Sequence, residues 1–155
     1  MFFSNFCRVS LTGPKRPLRP TPRAVSPVAP GPAWDELAAR FERAAERGEP
    51  GHEPGSASSR DDHLPVVQVL GGSQICVRTK RAHPMTAAHW LHVMYVRDQS
   101  GGVIALREFG REQPFPELVG VAPSLRFQLP PPTTSLVAYV YCSEHALFQS
   151  ALVIL

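Results

Sequence analysis

From residue 63 to the C-terminus the chain is a succession of short apolar segments, each closed by a turn signal. The candidate strands are Val66–Leu70, Gln74–Lys80, Trp90–Arg97, Val103–Phe109, Leu125–Leu129, Leu136–Cys142 and Ala146–Ile154. They are rich in Val, Leu, Ile, Tyr and Phe, residues that fit a pleated, half-buried surface. Gly71-Gly72 predicts a tight hairpin, and Asp98-Gln99-Ser100-Gly101-Gly102 a longer one. Segments this short cannot form helices of useful length. The pattern predicts an all-β domain, a seven-stranded immunoglobulin-like β-sandwich.

What precedes the strands is different in kind. Residues 1–32 contain seven of the seventeen prolines and no sustained hydrophobic period, so a disordered extension is expected. This stretch is also rich in arginine, free of acid and begins Met1-Phe2-Phe3, so an organelle-targeting presequence is the alternative. It lacks the continuous apolar core of a secretory signal. Over residues 33–48 an amphipathic helix is expected, because Trp34, Leu37, Ala38, Phe41 and Ala45 recur at helical spacing. Gly48 and Pro50 should stop it, and residues 49–61 read as a linker. The expected sandwich then occupies residues 62–155.

Charge narrows the function classes. Residues 1–34 carry five basic and no acidic groups, and residues 35–59 three basic and six acidic. Residues 60–155 carry eight basic and seven acidic, which leaves the sandwich nearly neutral. It has no broad basic field for nucleic acid. No apolar run reaches membrane-spanning length, so no membrane partner is expected. Three cysteines without a Cys-x-x-Cys pair give no disulfide framework and suit a reducing, cytoplasmic compartment.

Set against this background, three clusters stand out. They are His63-Leu64-Pro65, the stretch His83-Pro84-Met85-Thr86-Ala87-Ala88-His89-Trp90, and Tyr141-Cys142-Ser143-Glu144-His145. A lone histidine is more often a satisfied core or surface residue than a ligand. Four imidazoles and a thiol in three short clusters, each flanked by strands, instead suit a first-row transition metal. Pro84 and Thr86-Ala87-Ala88 predict a loop with one helical turn that aims His83 and His89 inward. Loops at one end of the sandwich would then gather all five groups. His52, His92, Cys7 and the mid-strand Cys76 have no such company and read as incidental or structural.

His-Pro-Met-Thr-x-x-His-aromatic, together with Tyr-x-Cys-x-x-His and an upstream His-x-Pro, resembles the superoxide reductases, the neelaredoxin/desulfoferrodoxin family, over about residues 60–155. The resemblance implies one mononuclear non-haem iron per subunit, with His63, His83, His89 and His145 as equatorial ligands and Cys142 as axial thiolate. It implies one-electron reduction of superoxide to hydrogen peroxide, an external electron donor such as rubredoxin, and a homo-oligomer, dimer or tetramer. Five protein ligands in a square pyramid leave one position for a small anion, and a trans thiolate donates electron density toward it.

The sequence departs from the family at two places. A Glu-Lys pair usually precedes the first ligand histidine, and here those positions are Asp61 and Asp62. Asp61 could serve as an outer-sphere or sixth-position group. Asp62 puts negative charge where superoxide must arrive, with Arg60 and Lys80 as compensating candidates. Cys-Asn-x-His-Gly becomes Cys142-Ser143-Glu144-His145-Ala146, which alters the hydrogen bonds around the thiolate. These changes support an alternative, a metal-binding β-sandwich with weak or no superoxide reduction.

Overall fold

The structure is a computed structural model of the full chain, and it describes residues 31–47, 62–86, 88–109, 123–145 and 147–155. Among the described residues, the helix α1 (Pro32–Glu46) precedes eight strands, β1 (Pro65–Leu70), β2 (Gln74–Thr79), β3 (Leu91–Asp98), β4 (Val103–Glu108), β5 (Ser124–Gln128), β6 (Ser135–Cys142), β7 (Leu147–Gln149) and β8 (Val153–Ile154), and Asp62 and His63 just before β1 are also helical. All strand pairs are antiparallel. They form a three-stranded sheet, β1-β2-β5, and a five-stranded sheet, β4-β3-β6-β7, with β8 also on β6. The domain is the all-β sandwich expected from the sequence.

The core between the sheets follows from strand periodicity. Ile75 and Val77 of β2 and Leu125 of β5 meet Met94 and Val96 of β3, Ala105 of β4, and Leu136, Ala138, Val140 and Cys142 of β6. Along β6 burial alternates strictly, so Cys142 is the last of four inward-facing residues. The same period-two rule that builds the core therefore aims the thiol into the end of it.

Strand β3 does not alternate: five of its eight residues are buried. The reason is α1, which covers the other face of the large sheet. Ala38, Trp34 and Phe41 of the helix pack with Val93, Tyr95, Val103, Tyr139 and Tyr141. Polar contacts lock the docking. Tyr95 donates its hydroxyl hydrogen to Glu42 Oε1 at 2.8 Å, Arg97 Nε donates to the same oxygen at 3.1 Å, and the Val103 N–H donates to Asp35 Oδ1 at 2.9 Å. Tyr95 and Tyr139 sit opposite each other in the ladder and stack, with centroids 4.8 Å apart. Aromatic pairs directly across a ladder of this kind stabilise the sheet. The helix buries Ala44 rather than Ala45 in its last full turn, a shift of one position from the predicted stripe.

The predicted final strand, 146–154, is interrupted. Tyr139 pairs with Gln149, but Leu136, three residues back, pairs with Val153, four residues on. The one extra residue makes a bulge at Ser150, whose N–H donates to the Ala138 carbonyl at 2.9 Å while its hydroxyl accepts from the Ala138 N–H at 3.0 Å. The Gly71-Gly72 turn closes as a three-residue loop, with Leu70 opposite Gln74 and positive φ at both Gly72 (69°) and Ser73 (63°). The expected extension over 1–32, apart from Gly31 and Pro32, and the linker at 49–61 lie outside the described residues.

Candidate metal centre

Strand register brings the three sequence clusters to one end of the sandwich. Pro65 at the start of β1 is opposite Thr79 at the end of β2, Leu91 at the start of β3 is opposite Cys142 at the end of β6, and Tyr141 is opposite Leu147. The segments that enter or leave these strands at that end carry His63, His83, His89, Cys142 and His145.

The five side chains converge. His63 Nε2 lies 2.9 Å from His83 Nε2, 3.3 Å from His89 Nε2 and 3.1 Å from His145 Nδ1. Cys142 Sγ lies 3.2 Å from His89 Nε2, 3.5 Å from His83 Nε2 and 3.5 Å from His145 Nδ1. His63, His83 and Cys142 are buried and His89 is partly so. His145 turns its Nδ1 to the common point where the other three turn Nε2. It follows Cys142 by only three residues, and the nearer ring nitrogen is the one within reach.

The spacing fits a metal ion. Imidazole nitrogens bind zinc at about 2.0–2.1 Å, so two at right angles on one ion sit about 2.9 Å apart. The nitrogen–nitrogen contacts of His63 cluster at that value and slightly above it. A nitrogen-rich set with one thiolate is the donor chemistry of iron, copper or zinc, not of calcium or magnesium.

Electrostatics favour neutral rings. Burial, reinforced by the His63 and His89 rings, holds His83 down to about 3. Burial also lowers His89, against the opposing pull of Glu144 and Asp62. Both imidazoles thus keep a lone pair at neutral pH. The Cys142 thiol is pushed up by burial, only partly offset by hydrogen bonds from the Glu144 and His145 backbone N–H groups and the Ser143 hydroxyl. A cation in the cluster would supply what ionises it.

Local hydrogen bonds hold the ligand-bearing loops. The His89 N–H donates to Thr86 Oγ1 at 3.0 Å, and the Thr86 N–H donates to the His89 carbonyl at 2.8 Å. These bonds tie Thr86 to His89, and Ala87, in the middle of the expected helical turn, lies outside the described residues. Ser143 joins two of the clusters. Its N–H donates to the Trp90 carbonyl at 2.9 Å, and its hydroxyl accepts from the Trp90 N–H at 3.0 Å.

Two contributors were not singled out by sequence. Phe148 stacks on His63, centroids 4.8 Å apart and planes 23° off parallel. Glu144 Oε2 lies 3.7 Å from His89 Nδ1. Phe148 has no local signature, because an aromatic in a short strand is ordinarily core. Glu144 was legible only as the variable position of Cys-x-x-His. Asp61 and Arg60 lie outside the described residues, and Lys80 is exposed on the chain just after β2. Trp90 and Tyr141 surround His92, at 4.8 and 5.7 Å between centroids, on the side where Phe41 of α1 packs. His92 is thereby in an aromatic cluster away from the five converging donors. Cys76 is buried in mid-strand, as expected.

No family model matches the sequence, and no curated protein matches it. Solved structures similar to it include the superoxide reductase of Treponema pallidum, at 25% identity over 61% of this chain and 68% of that one, with a TM-score of 0.46. The one-iron superoxide reductase of Giardia intestinalis is 18% identical over 60% of this chain and 97% of that one, TM-score 0.47. The neelaredoxin of Ignicoccus hospitalis is 19% identical over 66% and 86%, TM-score 0.48. The ligand motif in the sequence resembles that of the superoxide reductases.

Proposed function

We propose that the protein is an iron-dependent superoxide reductase, with His63, His83, His89, His145 and Cys142 holding one iron per subunit. The observation that carries this reading is the convergence of four imidazole nitrogens and one thiol within 2.9–3.5 Å of their neighbours. An iron bound there would supply one electron to superoxide, which with two protons from solvent becomes hydrogen peroxide. Zinc in the same donors would have no electron to give.

The chain's own groups divide the remaining work. Neutral His83 and His89 offer lone pairs without competition from protons at neutral pH. Cys142, at the inner end of β6, gives the anionic sulfur, steadied by the Glu144 and His145 N–H groups and the Ser143 hydroxyl. The β-sandwich keeps the thiol dry, because Cys142 is fully buried. Electrons would come from a separate small donor protein such as rubredoxin, and a homo-oligomer in the cytoplasm is the expected setting. Among the described residues no helix is long and apolar enough to cross a membrane.

A second reading, a metal-binding sandwich with little or no superoxide reduction, is favoured by the carboxylates. Asp62 and Glu144 both act on His89, so negative charge borders the centre where an anion would arrive. Metal analysis with a visible spectrum of the oxidised protein, followed by pulse radiolysis of the reduced protein, separates the two. One equivalent of iron and a second-order reaction with superoxide is the expected result. Iron without that reaction makes the protein a carrier, and spectroscopically silent zinc sinks the redox reading.

A further inference from the structure

The three rings that turn Nε2 to the common point leave Nδ1 facing outward, and a ring that binds metal through Nε2 must carry its proton on Nδ1. For His89 that proton has a carboxylate waiting. Nε2 of this ring is committed to the cluster, 3.2 Å from Cys142 Sγ and 3.3 Å from His63 Nε2. On the opposite edge Glu144 Oε2 stands 3.7 Å from Nδ1. The glutamate is half exposed, so a small rotation of its side chain, or one bridging water, completes the hydrogen bond. The backbone around it is fixed, because Glu144 lies between Cys142 and His145 in a turn tied to Trp90 by two Ser143 hydrogen bonds.

We propose that Glu144 is a positioning residue: its carboxylate holds the Nδ1 proton of His89, selects the tautomer that presents Nε2 to the metal, and makes that nitrogen a stronger donor. A metal-bound imidazole backed by a carboxylate in this way is oriented and more basic than one backed by water. The same turn thus carries two ligands, Cys142 and His145, and the support for a third, His89, which arrives from the β2–β3 connection. That couples two loops far apart in sequence at the moment of metal binding. The inference rests on the metal-centre reading above.

The test uses the full chain, Zn(II) alone as a diamagnetic probe, and a competing chelator. Glu144→Ala should raise the zinc dissociation constant by about tenfold to a hundredfold, the cost usual for losing such a partner. Glu144→Gln keeps an acceptor and should lose less. Proton–nitrogen NMR of the zinc protein should show a His89 Nδ1–H that persists in the wild type and Glu144→Gln but exchanges faster with water in Glu144→Ala. Apoprotein melting should be unchanged in both variants, because the glutamate is half exposed. Zinc binding that requires His89 but ignores both Glu144 variants overturns this inference alone. Equal losses of affinity in both variants with an unmoved Nδ1–H signal also overturn it, since Glu144 would then bind the metal directly. No zinc binding by the wild type, or binding that survives His89→Ala, overturns the metal-centre reading and this inference with it.

Discussion

His63 and Cys142 share the same three neighbours: the inward nitrogens of His83, His89 and His145 lie within 3.3 Å of His63 Nε2 and within 3.5 Å of Cys142 Sγ. One residue lies two positions before β1 of the small sheet and the other ends β6 of the large one. The cluster therefore bridges the two halves of the sandwich, and each half contributes something the other lacks.

Because every donor touches several others, removal of any one should be felt by all. Alanine at His63, His83, His89 or His145 is expected to weaken iron binding, and Cys142→Ala to abolish a thiolate-to-iron(III) charge-transfer band. Iron content and the oxidised visible spectrum measure both. If His63→Ala leaves them unchanged, the upstream cluster does not belong to the centre.

The apoprotein should lose stability in acid. An unfolded chain protonates His83 as pH drops through about 6.5, whereas the folded chain resists until about 3. Across that window the unfolded state binds more protons, so stability falls as pH falls, by on the order of a few kcal/mol at the acid end. Urea midpoints of metal-free protein at pH 7 and 4.5 should show the decline, and His83→Gln should make it shallower. Parallel declines would mean that a neutral buried His83 is not its source. Metal affinity should rise with pH for a related reason: the Cys142 thiol, raised by burial, must give up its proton to bind.

Helix α1 should be held by Glu42 as much as by its apolar face. Glu42→Ala strips the buried Tyr95 hydroxyl of its acceptor and leaves Arg97 with Gly101 O and Asp35, and leaving a buried hydroxyl without a partner costs about 1–3 kcal/mol. Tyr95→Phe leaves Glu42 paired with Arg97 and should cost less. Chemical denaturation of the single variants and the double variant gives the coupling. Strictly additive losses would mean that the hydroxyl and carboxylate do not act together.

Ser143→Ala should loosen the metal centre without unfolding the domain. It removes the acceptor of the Trp90 N–H and the hydroxyl beside Cys142, at about 1 kcal/mol for the hydrogen bond. The readout is the energy of the charge-transfer band together with iron retention against a chelator. A band unmoved by this change would show that the serine does not tune the thiolate.

The sequence alone determined the sandwich and singled out the five side chains that lie together at one end of it. Period-two apolar segments punctuated by Gly, Pro and Asp define strands locally, and the inward position of Cys142 follows from the same alternation that buries Leu136, Ala138 and Val140. The spacing of His83, His89, Cys142 and His145 was legible for the same reason, since residues near strand ends stay near one another once register is set. Tertiary structure decided the rest. Strand β3 hid its alternation because α1 covers its second face, a contact made by residues some fifty positions away in the chain. The Ser150 bulge depends on how Ala138 of β6 is satisfied, which no local pattern encodes. Phe148 against His63 and Glu144 against His89 arise only when separate loops meet. Local pattern fixes which way a side chain points from its own strand; what it meets there is set by the packing of elements distant in sequence.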